Sequence, residues 1–174
     1  GETRWVSGMI AVPVPPGRIR MRMWLGDGEA GGSAPPVRSL EVAPAPPDAI
    51  GLSDLVLGNP GGRWPVAVPR GEPVALNPLG RFGRRDPLEL AYQVRAPAGV
   101  QLVSQVTLMR TDERAGVIRS DRYQERTGEG SRLARHPVDV RKLPPGSYRL
   151  EVTVTDGRGG LARRWKEFVV TDGR

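Results

Sequence analysis

The chain of 174 residues has no cysteine and a single histidine, His136. Disulfides, thiolate metal sites, iron–sulfur clusters and cysteine nucleophiles are excluded, and most histidine-based catalysis goes with them. Aromatic residues make up only 5% of the chain. No apolar run approaches the roughly 20 residues that a membrane-spanning helix requires. A charged-then-apolar leader is also missing, and the chain opens at Gly1 rather than methionine, which reads as a processed or excised piece and leaves export open. Glycine (23) and proline (18), by contrast, are abundant, a composition that works against long helices and favours turns. The length suits one ordinary domain or two small β modules, able to bury roughly 70% of the unfolded surface.

The formal net charge of +7 points to nucleic acid, an anionic membrane face or an acidic protein as partner classes, since a basic surface attracts all three. Only Lys142 and Lys166 are lysine among the 26 basic residues, an arginine excess in keeping with a GC-rich genome.

Hydrophobic alternation with period 2 is clearest where Tyr148, Leu150, Val152 and Val154 alternate with Arg149, Glu151, Thr153 and Thr155. The polar loop Thr155-Asp156-Gly157-Arg158-Gly159-Gly160 and a returning strand, Trp165 to Val170, complete a hairpin. A second antiparallel pair is expected from Leu88 to Arg95 and from Gln101 to Arg110, around Ala96-Pro97-Ala98-Gly99. Further strands are expected over 73–76, 117–124 and 132–140, and 52–57 reads as a short strand or one helical turn. About seven short strands separated by turns describe an all-β fold, an antiparallel β-sandwich.

The sequence also repeats itself. Pro15-Pro16-Gly17 and the run to Asp27 align without a gap on Pro144-Pro145-Gly146 and the run to Asp156. Before them Met9, Ala11 and Val14 match Val138, Val140 and Leu143; after them Leu40-Glu41-Val42 matches Phe168-Val169-Val170. Residues 1–43 therefore read as a partial, three-strand β module, 44–51 as a proline-rich linker and 52–174 as a complete sandwich module. Three strands with one apolar face cannot close a sandwich, so something is expected to cover that face.

Leu52-Ser53-Asp54-Leu55-Val56-Leu57-Gly58 at the opening of the module, Pro144-Pro145-Gly146-Ser147-Tyr148-Arg149-Leu150 near its end and the closing Glu167-Phe168-Val169-Val170 resemble the tandem Ig-like β-sandwich regions of secreted bacterial proteins of the GWxTD-domain type. The Gly-Trp-x-Thr-Asp signature itself is absent. The resemblance implies an exported, envelope-located, non-enzymatic module and supplies no catalytic residues.

Candidate chemistry is sparse. Gly26-Asp27-Gly28-Glu29-Ala30-Gly31 has the letters of a dinucleotide fingerprint, but prolines follow where a helix should begin, and Asp27 and Glu29 would repel phosphate. His136 reads as a surface histidine. Asp112 with Glu113, and Asp121 with Glu125, lack the ligand spacing of a calcium loop and read as solvated turn charges; no metal or cofactor is expected. Asp54 reads as a turn or cap residue. The stretch Arg81-Phe82-Gly83-Arg84-Arg85, with Trp64 before it, is the densest basic and aromatic segment. It reads as a long solvated loop that Trp64 and Phe82 pin to the sandwich, as a protein or membrane-surface contact, or as phosphate gripping with base stacking. Trp5 and Trp24 fall in the partial module, where they either face a partner or pack on the complete module.

The expectation is a non-enzymatic structural or adaptor subunit. It would be periplasmic or otherwise extracytoplasmic and peripheral to the membrane, touching other protein subunits through Trp5, Trp24, Trp64, Arg81, Phe82, Arg84 and Arg85. A membrane energy-converting complex, such as a photosynthetic reaction centre, is one such assembly. The alternatives are a carbohydrate or surface-polymer binding module and, second, nucleic-acid binding.

Overall fold

A computed structural model describes residues 12, 14–26, 32–44, 46, 48–60, 65–66, 74–112, 115–126 and 131–172. The described residues fall into two compact units, one within 10–46 and the other within 47–174.

The larger unit is a β-sandwich. One sheet is built on β10 (Leu88–Arg95), which pairs with β13 (Ser131–Val138) on one side and with β5 (Gly51–Leu52) and β6 (Val56–Gly58) on the other, all antiparallel. The segment 52–57 is thus split between two short strands and contains no helical turn. Ser53 lies at the break, its backbone N–H donating to the Gln93 carbonyl and its hydroxyl accepting from the Gln93 N–H. A two-stranded pair, β7 (Pro65–Val66) with β8 (Val74–Ala75), stands beside this sheet. Gly58 is required here, because a Cβ would collide with the Ala75 carbonyl.

The second sheet has the order β12 (Gly116–Arg126), β11 (Gln101–Arg110), β14 (Gly146–Thr155), β15 (Leu161–Thr171), β9 (Arg81–Gly83). Its pairs are antiparallel except the last, where β15 and β9 run parallel. Alternation shows which face of a strand is buried but not which neighbour the strand takes, and this parallel edge departs from the purely antiparallel expectation. The strand order and the switch of the early strands between sheets are those of an immunoglobulin-type sandwich.

The alternating residues meet between the sheets. Leu88, Leu90, Tyr92 and Val94 of β10 pack with Leu102, Val106 and Leu108 of β11 and with Tyr148, Leu150, Val152 and Val154 of β14 in one core. Tyr148 stacks on Phe168 with ring centroids 5.7 Å apart, and Phe82 meets Phe168 edge-on at 6.0 Å. The Tyr148 hydroxyl donates to the Pro144 carbonyl, fixing the turn into β14 in the manner of an immunoglobulin tyrosine corner.

In the smaller unit β1 (Gly17–Met21) pairs antiparallel with β4 (Arg38–Val42), and β2 (Leu25–Gly26) with β3 (Gly32–Ser33). Gly17 faces Val42 and Ile19 faces Leu40, just as Gly146 faces Val170 and Tyr148 faces Phe168. The strand expected before them falls largely outside the described residues.

Candidate functional site

The basic loop is taken apart by the fold. Phe82 is fully buried, because its parallel neighbour Val170 points into the core and Phe82 must follow. It is therefore not a partner-facing residue, and a grip that stacks a base or a partner ring on Phe82 is lost. Arg84 and Arg85 occupy a turn that Asp86 closes by accepting the Gly83 N–H at 2.7 Å. Arg84 also donates to the Arg141 carbonyl at 3.3 Å, and Arg81, Arg84 and Arg85 are all exposed. Trp5 and Trp64 lie outside the described residues. Trp24 is 67% exposed.

Trp24 has apolar company in the smaller unit. Met21, Met23, Val37 and Leu40 are exposed, and Ile19 and Val42 are half-buried. A ladder with the register of the core hairpin thus leaves Met21 and Leu40 exposed and Ile19 and Val42 only half-buried.

A buried polar network is the second feature. His136 is not at the surface: it points inward from β13, its ring 3.9 Å from that of Tyr123. Glu125, expected as a solvated charge, is also buried, because inward-facing positions of β12 alternate from Asp121 through Tyr123 to it. The Tyr92 hydroxyl lies 3.1 Å from Glu125 Oε1 and 3.0 Å from His136 Nε2. Burial by itself would raise the Glu125 carboxyl, but the polar hydrogens of His136, Ser104 and Tyr92 outweigh it and hold the group below its ordinary value. An ionised carboxylate only accepts, so Tyr92 spends its one proton on Glu125. A hydrogen on His136 Nε2 then faces both the Tyr92 oxygen at 3.0 Å and Glu125 Oε1 at 3.8 Å. Burial, and the adjacent carboxylate after it, push the Tyr92 phenol well above its usual range. The chain His136–Tyr92–Glu125 ties the edge strand of one sheet to the edge strand of the other. Glu125 Oε2 and Ser104 Oγ are both sealed from solvent. A cavity of about 340 Å³ nearby is lined by Gln101, Leu102, Val103, Gln124, Glu125 and Arg132. Among the described residues no cluster of three or more histidines and carboxylates could hold a metal ion.

A third feature was overlooked in the sequence. Trp165 faces outward from β15, 55% exposed, with the Arg149 guanidinium 4.5 Å over its ring. Its parity was available: Phe168 and Val170 set the even positions of the strand inward, so position 165 must point out.

No family model matches the chain, and no curated protein matches it. Among solved structures the chain is similar to the C-terminal domain of wzt, with TM-score 0.48 and 10% identity over 73% of this chain and 76% of that one. It is also similar to the PmoD soluble domain from Methylocystis sp., with TM-score 0.38 and 14% identity over 71% and 92%. At these scores neither likeness bears on function. Among the described residues no helix is long and apolar enough to cross a membrane.

Proposed function

We propose that this chain is a non-enzymatic binding module of the bacterial cell envelope, akin to the sandwich regions of GWxTD-type proteins. It joins a larger assembly when strands of another protein subunit cover residues 12–46. The observation that carries the reading is the pair of ladders with one register. Where β14 and β15 bury Tyr148, Leu150, Val152, Val154, Phe168 and Val170, the matching ladder of β1 and β4 buries none of its apolar side chains among the described residues. A two-stranded ribbon is marginal in water, and its apolar side chains gain about 25 cal/mol for each Å² of apolar surface that a partner covers. Trp24, with Met21, Met23 and Leu40, supplies the aromatic and methionine content on which protein interfaces concentrate binding energy.

Purification from the native membrane tests this. The wild-type chain is expected to co-migrate with defined protein subunits in the extracytoplasmic fraction, and a Trp24→Asp, Leu40→Asp double variant is expected to elute alone with its larger unit still folded. A monodisperse wild-type monomer without partners would sink the proposal.

A further inference from the structure

The outer face of the five-stranded sheet sets an exposed indole among polar side chains that are already paired. Opposite Trp165 across β14 and β15 is Glu151, and Arg163 and Glu167 flank it on its own strand. Arg149 donates to Glu167 at 2.8 Å, and Arg163 donates to Glu151. The surface continues onto β11 with Thr107 and Gln105, the latter donating to Ser120 at 2.9 Å.

We propose that this face is a glycan platform. A pyranose ring of a neutral polysaccharide stacks on the face of Trp165 opposite the Arg149 guanidinium, and its hydroxyls are held by the Arg149–Glu167 and Arg163–Glu151 pairs. The C–H side of a sugar ring is apolar and weakly positive, which matches the negative face of an indole. Long side chains normally lose rotamer freedom when they grip a ligand, but here the cross-strand pairs have already restricted them. The pairs offer guanidinium donors and carboxylate acceptors in balance. A hydroxyl both donates and accepts, so a polyhydroxylated neutral chain complements them. An anionic polymer would meet Glu151 and Glu167, and a protein surface would have to desolvate both ion pairs, at a cost. Leu161 to Glu167 spans roughly 20 Å of strand, room for a short run of sugar units.

Affinity electrophoresis of the full chain through gels cast with dextran, laminarin, galactomannan or polygalacturonate tests the proposal, with titration calorimetry on any probe that retards it. At least one neutral polysaccharide is expected to retard the wild type. Trp165→Ala should weaken that binding about tenfold, and Trp165→Tyr, which keeps a ring, should retain most of it. Because Trp165 is exposed, both variants should melt with the wild type. No retardation by any neutral probe, retardation by polygalacturonate alone, or binding unchanged in Trp165→Ala would each overturn it. Trp24→Ser should leave the retardation intact, which separates this site from the docking of residues 12–46.

Discussion

Strands β1 and β4 face each other in the register of β14 and β15, and each ladder leaves a Pro-Pro-Gly turn through a glycine of positive φ, 128° at Gly17 and 155° at Gly146. The surroundings differ. At position 148 a tyrosine is fully buried, stacked on Phe168 and bonded back to Pro144. At the matching position 19 an isoleucine, which has no hydroxyl to close the turn, is only half-buried against an exposed Leu40. A β-ladder can thus take its shape from local sequence alone, whereas its contribution to stability comes from a second sheet laid over it.

The largest contrast is expected from truncating the matched side chains. Tyr148→Ala should cost about 3–5 kcal/mol in denaturant unfolding of the full chain, while Ile19→Ala should cost well under about 1 kcal/mol. Equal costs would mean that the smaller unit has a core of its own. Next comes the polar tie between the two sheets, a feature with no counterpart in the β1–β4 ladder. Tyr92→Phe should cost about 1–3 kcal/mol, because Glu125 and His136 both lose a buried partner.

The same network makes stability depend on pH. Glu125 is held below its ordinary value of 4.5, so its contribution is present above that value and is lost as pH falls through the lower folded-state value. Tyr92 is raised above its ordinary value of 10.0, so its contribution is full below that value and declines as pH rises beyond it. Unfolding curves should accordingly show a flattened acid limb in Glu125→Gln and a flattened alkaline limb in Tyr92→Phe. Unchanged limbs would refute the charge assignment.

A smaller difference is expected at the two glycines. Alanine at 146 meets Asp112 Oδ2 at 2.7 Å in addition to backbone strain, whereas alanine at 17 meets nothing within 4 Å. Both should destabilise locally, but only Gly146→Ala should lower the global melting temperature, by the few degrees that about 1–2 kcal/mol produces. The smallest effect is that of Trp24→Ser on the isolated chain, within about 0.5 kcal/mol by calorimetry. Its consequence should be confined to partner binding, and a larger loss would place Trp24 in a core.

Much of the sandwich was legible in the residue pattern. The strands Leu88–Arg95 and Gln101–Arg110 begin and end where the alternation does, and the Pro-Pro-Gly repeat anticipated a shared register. The candidate site was less legible. Phe82 in an arginine-rich stretch resembles a surface anchor until Val170 beside it is known to point inward. His136 and Glu125 resemble solvated groups because their partners, Tyr92 and Tyr123, are distant in sequence. Trp165 is within reach by parity, because Phe168 and Val170 fix the inward side of its strand, but no motif marks it.

By itself the sequence determined the all-β character, the turns and the buried side of each long strand, because these depend on residues a few positions apart and on the backbone freedom of glycine and proline. Only the tertiary structure decided that β9 runs parallel to β15, that a carboxylate lies buried between the sheets, and that a half-exposed indole, with Arg149 over its ring, stands among paired charges. Strand pairing and desolvation are set by chains that meet in space, and no local pattern encodes the identity of the neighbour.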